Sequence, residues 1–154
     1  MTPRIHNPFK AMPEGLKAMM AIETSIAASG IEHSLLELVK MRASQINGCA
    51  FCLDMHWKDA RANGETEQRL YGLSAWREAP YYTDRERAAL GLTEAVTRLA
   101  GGGGVPDEVV AAAEPHFSSK ELAALLYSIV LINSWNRLAI SGRSLAGIYV
   151  VGAY

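Results

Sequence analysis

Nearly every segment of this 154-residue chain repeats its apolar residues at helical spacing, and none shows the polar–apolar alternation of a strand. That pattern restricts the chain to an all-α fold. Breakers and caps divide it into helices. The first spans Pro13 to Ala28 and is closed by Gly30; the second runs from about Ser34 to Ile46 and stops at Asn47-Gly48. A third begins at Cys49 and ends at "ANG", Ala62 to Gly64, and a shorter one covers Glu65 to Trp76 before Pro80. "TDRE" (Thr83 to Glu86) is a capping box that opens a helix reaching about Leu99. The run Gly101 to Gly104 is read as a flexible connector: no Lys-Ser/Thr pair follows and no strand precedes it, as a phosphate loop requires. "VPDEVV" restarts a helix with Pro106 in its first turn, and the last long helix spans about Ser118 to Ile140. With no repeat and no second unit beyond the glycines, residues 1–154 form a single domain.

Composition narrows the function. Fifteen basic and sixteen acidic residues leave a formal charge of −1 with no basic run, so nucleic acid is not an expected partner. The longest apolar run, Leu122 to Ile132, is eleven residues, short of the roughly 20 that span a bilayer. The N-terminal stretch has no apolar segment behind its charges, so no secretory signal and no membrane are expected, and the compartment read from this is cytoplasmic. In a reducing compartment a lone cysteine pair points to catalysis or metal binding rather than to a static bridge.

Both cysteines lie in "INGCAFCLDMH", Ile46 to His56. At 100° per residue, Cys49, Cys52 and His56 fall within about 60° of arc on one helical face. His56 leans back toward Cys52, whereas Cys49 lies about 10 Å of rise away from it. Folding the chain back at Asn47-Gly48 brings Glu37 level with His56, their heights differing by only about 3 Å. The result is a carboxylate, an imidazole and two thiols in order. Such a set suits an activated nucleophile: Cys52 as attacking thiolate, His56 as acid/base, Glu37 orienting His56, and Cys49 as the resolving thiol. A sulfenic acid formed on Cys52 would condense with Cys49 to a disulfide.

Other readings stay open on residue types alone. Cys49, Cys52 and His56 with Glu37 or His33 could ligate zinc, or the cysteines could be plain buried residues. "SLLE", Ser34 to Glu37, is itself a possible capping box that would occupy the Glu37 carboxylate. His6, His33 and His116 read as surface or loop residues; Met19, Met20, Met41 and Met55 read as core filler. Asn133, Asn136 and Arg137 are placed to pin the last helix by polar contacts.

The pattern Glu37, Cys49, Cys52, His56, with "MRASQINGCAFCLDMHWKDARANGE" around it and "INSWNRLAI" later, resembles the AhpD-like alkylhydroperoxidases of the carboxymuconolactone decarboxylase superfamily. The resemblance covers about Glu32 to Ile140. It implies a compact multi-helix AhpD-like fold, a Cys-x-x-Cys at the start of a helix, and reduction of organic hydroperoxides through a dithiol/disulfide cycle. It also implies re-reduction by an external dithiol, such as a lipoyl-bearing protein, assembly as a homotrimer or homohexamer, and no haem, flavin or other cofactor. Some members place a second histidine between the cysteines, where this chain has Ala50 and Phe51. The competing readings are a lactone decarboxylase of the same superfamily, which needs no thiol pair, and a non-enzymatic redox-sensing or zinc-binding protein.

The last helix is apolar on nearly all sides, and the tail "GIYVVGAY" adds more apolar surface than one small domain readily covers. The protein is therefore expected to be an oligomer. Light scattering at micromolar concentration checks this, and a monomer there would refute it.

Overall fold

The computed structural model describes Thr2 and residues 8–153. Among the described residues eight α-helices follow one another: α1 (Pro8–Ala11), α2 (Pro13–Ala27), α3 (His33–Asn47), α4 (Ala50–Ala62), α5 (Glu67–Gly72), α6 (Asp84–Thr97), α7 (Asp107–Ala113) and α8 (Ser119–Gly142). No strand occurs among the described residues. The all-α expectation is met, and the boundaries agree to within a few residues apart from α1 and the fourth segment. The latter is shorter as an α-helix than Glu65 to Trp76, finishing as a 3₁₀ turn over Leu73–Ala75.

Local chemistry accounts for the ends. Thr83 and Ser118 both make reciprocal capping boxes, with Glu86 and Glu121 respectively. Pro106 stands just before α7 as its N-cap rather than inside its first turn. In the connector, Gly102, Gly103 and Gly104 all hold positive φ (84°, 93° and 72°), a backbone that side-chain-bearing residues rarely adopt. At Ser34 the sequence reading is corrected. α3 starts one residue earlier, Glu32 is its N-cap, and no side chain caps it, so Glu37 is released from capping duty.

α3 is the axis of the fold, packed against α4, α6 and α8. Leu35, Leu36, Leu38, Val39, Met41 and Ala43 are all buried along it. Because it is covered on every side, its polar residues must find partners inside the protein. Arg42 pairs with Glu94 of α6, the Nε–Oε1 distance being 2.8 Å. Glu94 also accepts from Trp76 Nε1 at 2.9 Å, Arg77 at 2.6 Å and Arg98 at 3.0 Å. Met41 is core as expected, but Met20 is exposed, so it is not filler.

α8 lies across α2, α3, α4 and α6. The eleven-residue apolar run sits within a 24-residue helix, which by length and mean hydropathy (1.3) could cross a bilayer. Here one side of that helix is core: Leu125, Ile129 and Ile132 are fully buried, and so is the amide of Asn136. Leu126, Tyr127 and Val130 on its other side are exposed.

Burial would raise the Glu94 carboxyl, but the bonds from Trp76, Arg77 and Arg42 outweigh it and hold the group down at about 2, against 4.5 for an ordinary glutamate. Its contribution to stability is thus complete above about 4.5 and fades as pH falls from there toward 2. Glu94→Gln, which leaves Arg42 buried without its counter-charge, is expected to cost about 3 kcal/mol at neutral pH. Urea unfolding at pH 7 and pH 3 checks both points, since the gap between the variant and wild type should narrow in acid.

Candidate active site

The site is built at the turn between α3 and α4. Gly48 ends α3 in the left-handed region (φ 72°, ψ 33°), and its amide and that of Cys49 both return to the Ser44 carbonyl. A Cβ there would meet nothing within 4 Å, so glycine is required by the backbone and not by space. The turn is pinned from α8. Asn47 Nδ2 donates to Asn133 Oδ1 at 2.9 Å and Asn136 Oδ1 at 2.8 Å. Asn136 Nδ2 donates to Ser44 Oγ at 3.0 Å, and Asn133 Nδ2 to Thr97 Oγ1 at 3.0 Å. The two asparagines thus pin the last helix as expected, and in doing so they fix the loop that carries Cys49.

Cys49 is the N-cap of α4, its Sγ accepting the Cys52 amide at 3.3 Å. The two cysteines are joined as a disulfide with a Cα–Cα distance of 5.4 Å. They are 1% and 2% exposed and pack against Phe51 and Ala139 of α8. The positive end of α4 points at this pair, a setting that favours thiolate once the bond is reduced.

One turn deeper, His56 Nδ1 lies 2.8 Å from Glu37 Oε2, both side chains being buried. Burial alone would raise the Glu37 carboxyl. The His56 hydrogen bond and charge, then the charges of Lys40 and His33, outweigh burial and hold it below the ordinary carboxylate range. An ionised Glu37 can only accept, so Nδ1 carries the proton and Nε2 is the nitrogen that can act on chemistry elsewhere. Lys40 Nζ and His33 Nε2 stand at 3.7 and 3.8 Å from Glu37 Oε1. His33 is exposed as expected, yet it is one of the charges facing this carboxylate. His6 lies outside the described residues.

The four predicted residues therefore form two directly joined pairs, Glu37–His56 and Cys49–Cys52. Among the described residues His56 makes no hydrogen bond to either sulfur. The zinc arrangement finds no thiolate to use, since the sulfurs are bonded to each other. A different trio, Glu37, His56 and Asp59, offers one ligand atom each within 4.8 Å of one another. All three already hold partners, His56 Nδ1 and Glu37 each other and Asp59 the Tyr149 hydroxyl. Asp59 and Tyr149 were missed by the sequence reading. Asp59, three residues after His56, follows from helical spacing; nothing local announces Tyr149.

The family model for the carboxymuconolactone decarboxylase family matches residues 13–95, over half of the chain. The chain belongs to that family. Within it, the uncharacterised Bacillus subtilis protein YdfG is 46% identical over 133 residues, 86% of this chain and 90% of that one. A crystal structure from Agrobacterium tumefaciens, of a protein of unknown function provisionally named an antioxidant defence protein AhpD, is 46% identical. It superposes with a TM-score of 0.89 over 96% of this chain and 100% of the other. An AhpD core structure from Ralstonia eutropha, of an uncharacterised peroxidase-related protein, shares the fold at 16% identity, with a TM-score of 0.78 over 92% and 75% of the two chains. The AhpD-like fold, with Cys-x-x-Cys opening a helix, is thus the fold of this family member.

Glu37→Gln removes the charge beside His56 while keeping an acceptor for its Nδ1–H. The variant is expected to stay folded but to alkylate its reduced cysteines more slowly near neutral pH, the alkylation profile moving to higher pH. Iodoacetamide rates across pH, with melting temperature as a control, check this; an unchanged profile would remove Glu37 from the site.

Proposed function

We propose that the protein is a thiol-dependent peroxidase that reduces organic hydroperoxides through a dithiol/disulfide cycle of Cys49 and Cys52. The supporting observation is the adjacency of a bridged Cys-x-x-Cys at a helix N-terminus to a buried Glu37–His56 pair on the same hairpin. In the reduced state Cys52 thiolate attacks the terminal peroxide oxygen, breaking the O–O bond and leaving an alkoxide that takes a proton from His56. Cys52 becomes a sulfenic acid. Cys49 thiol then displaces its hydroxyl as water, forming the disulfide and completing a two-electron oxidation. An external dithiol, for which a lipoyl group has the right chemistry, exchanges with the disulfide and restores both thiols while itself becoming a cyclic disulfide. A reducing compartment such as the cytoplasm suits that cycle.

Lactone decarboxylation, the reaction in the family's name, would use the acid/base pair and leave the cysteines idle. The exposed apolar side chains of Ile22 on α2 and of Leu126, Tyr127 and Val130 on α8 offer a candidate surface for self-assembly into a trimer or hexamer.

The two cysteines should not be equivalent. One equivalent of an alkyl hydroperoxide is expected to consume both free thiols of the reduced wild type. Cys52→Ser should be inert, and Cys49→Ser should react once and stop as a sulfenic acid that dimedone traps. The reverse pattern would assign the attack to Cys49, whose sulfur already receives the Cys52 amide. Retention of both thiols by the wild type would refute peroxide reduction.

A further inference from the structure

Beyond α8 the chain loses regular structure but is strapped to α4. Arg143 turns it with left-handed backbone (φ 55°, ψ 53°), its amide returning to the Ala139 and Ile140 carbonyls. The Gly147 amide then donates to Asp54 Oδ2 at 3.0 Å, and Lys58 Nζ to the Tyr149 carbonyl at 3.0 Å. Ile148 and Val150 face solvent, while Tyr149 between them turns inward and is 9% exposed. Its hydroxyl lies 2.8 and 3.0 Å from the two oxygens of Asp59.

Asp59 is on α4 one turn beyond His56. One of its oxygens lies within 4.8 Å of both a ring nitrogen of His56 and a carboxylate oxygen of Glu37. Two carboxylates this close to one imidazole are rivals for its N–H. What else each one holds decides between them. Glu37 is flanked by Lys40 and His33, and Lys40 is shared with Glu23 of α2. From α4, Lys58 is taken by Asp54 at 3.0 Å, so Asp59 is matched by the phenol from the tail. Burial, then the hydrogen bond and charge of Asp59, push the Tyr149 hydroxyl up to about 12, with Glu37 adding to this and the Gly152 amide opposing it. It stays a donor throughout the range in which thiols titrate.

We infer that Tyr149 is a positioning residue of the dithiol centre: by occupying Asp59, it leaves the His56 imidazole to Glu37. The inference rests on the thiol-redox reading of the site but not on peroxide being the substrate. Its test is the rate of iodoacetamide alkylation of the reduced protein across pH, with no peroxide present. Failure of peroxide turnover would therefore leave this result standing.

Tyr149→Phe is expected to slow alkylation at pH 7 about tenfold, by analogy with the lower end of the range for outer partners of metal-bound histidines. In an Asp59→Asn background the same change should cost less than twofold, because no rival charge remains to be held. Melting temperatures accompany each variant. A tail that merely packs would give an equal loss in both backgrounds, with a lowered melting temperature, and that outcome overturns the inference. So does a Tyr149→Phe profile identical to wild type. Should Tyr149→Phe fail to fold, Asp59→Asn alone decides. With the rival charge gone and Glu37 still on the imidazole, alkylation by Asp59→Asn should stay within about twofold of wild type, whereas a tenfold fall would show that Asp59, not Glu37, partners the imidazole.

Discussion

A single buried contact, His56 Nδ1 on Glu37 Oε2 at 2.8 Å, organises the rest of the site. It joins α3 to α4 across their hairpin, well inside the apolar layer. A carboxylate in such a place is tolerated only with its hydrogen bonds and counter-charges in position. Lys40, His33 and His56 supply them, and the geometry that results also fixes which nitrogen of the ring holds a proton. The proposed chemistry would use the same pair that the buried hairpin needs for its own stability, so the pair cannot drift without cost to the fold.

The other half of the site is held differently. Cys49 and Cys52 occupy the first turn of α4, where position relative to the helix end matters more than any one contact. That position is set by Gly48, whose backbone reverses the chain, and by Asn136 and Asn133 reaching from α8 to Asn47 and Ser44. A long apolar helix carrying buried amides is a poor choice for packing alone. Those amides make sense as struts for the cysteine turn, since each finds its partner there or on Thr97.

A second buried carboxylate, Glu94, shows the contrasting use of charge. It gathers Arg42, Trp76, Arg77 and Arg98 with no thiol or imidazole among its partners, and it ties the middle of α3 to α6. α3 thus carries two polar anchors about one and a half turns apart, Glu37 serving the site and Arg42 serving the scaffold.

The helical class, most helix ends and the approach of Glu37 to His56 are legible in the sequence. These follow from quantities that are local: a fixed rise per residue, a fixed angle per residue, and a turn at Asn47-Gly48 that mirrors one helix onto the next. Capping at Thr83 was legible for the same reason, whereas Ser34 misled because an identical local pattern can lie just inside a helix instead of at its edge. That α8 struts the cysteine turn, that Glu94 collects three arginines and that Tyr149 sits on Asp59 emerges only once the helices have packed. Apart from Arg98, which follows Glu94 at helical i,i+4 spacing, those contacts join residues between 17 and 92 positions apart, and no spacing rule connects them. They depend on how apolar faces pack, which fixes distance and direction between segments that the chain itself leaves independent.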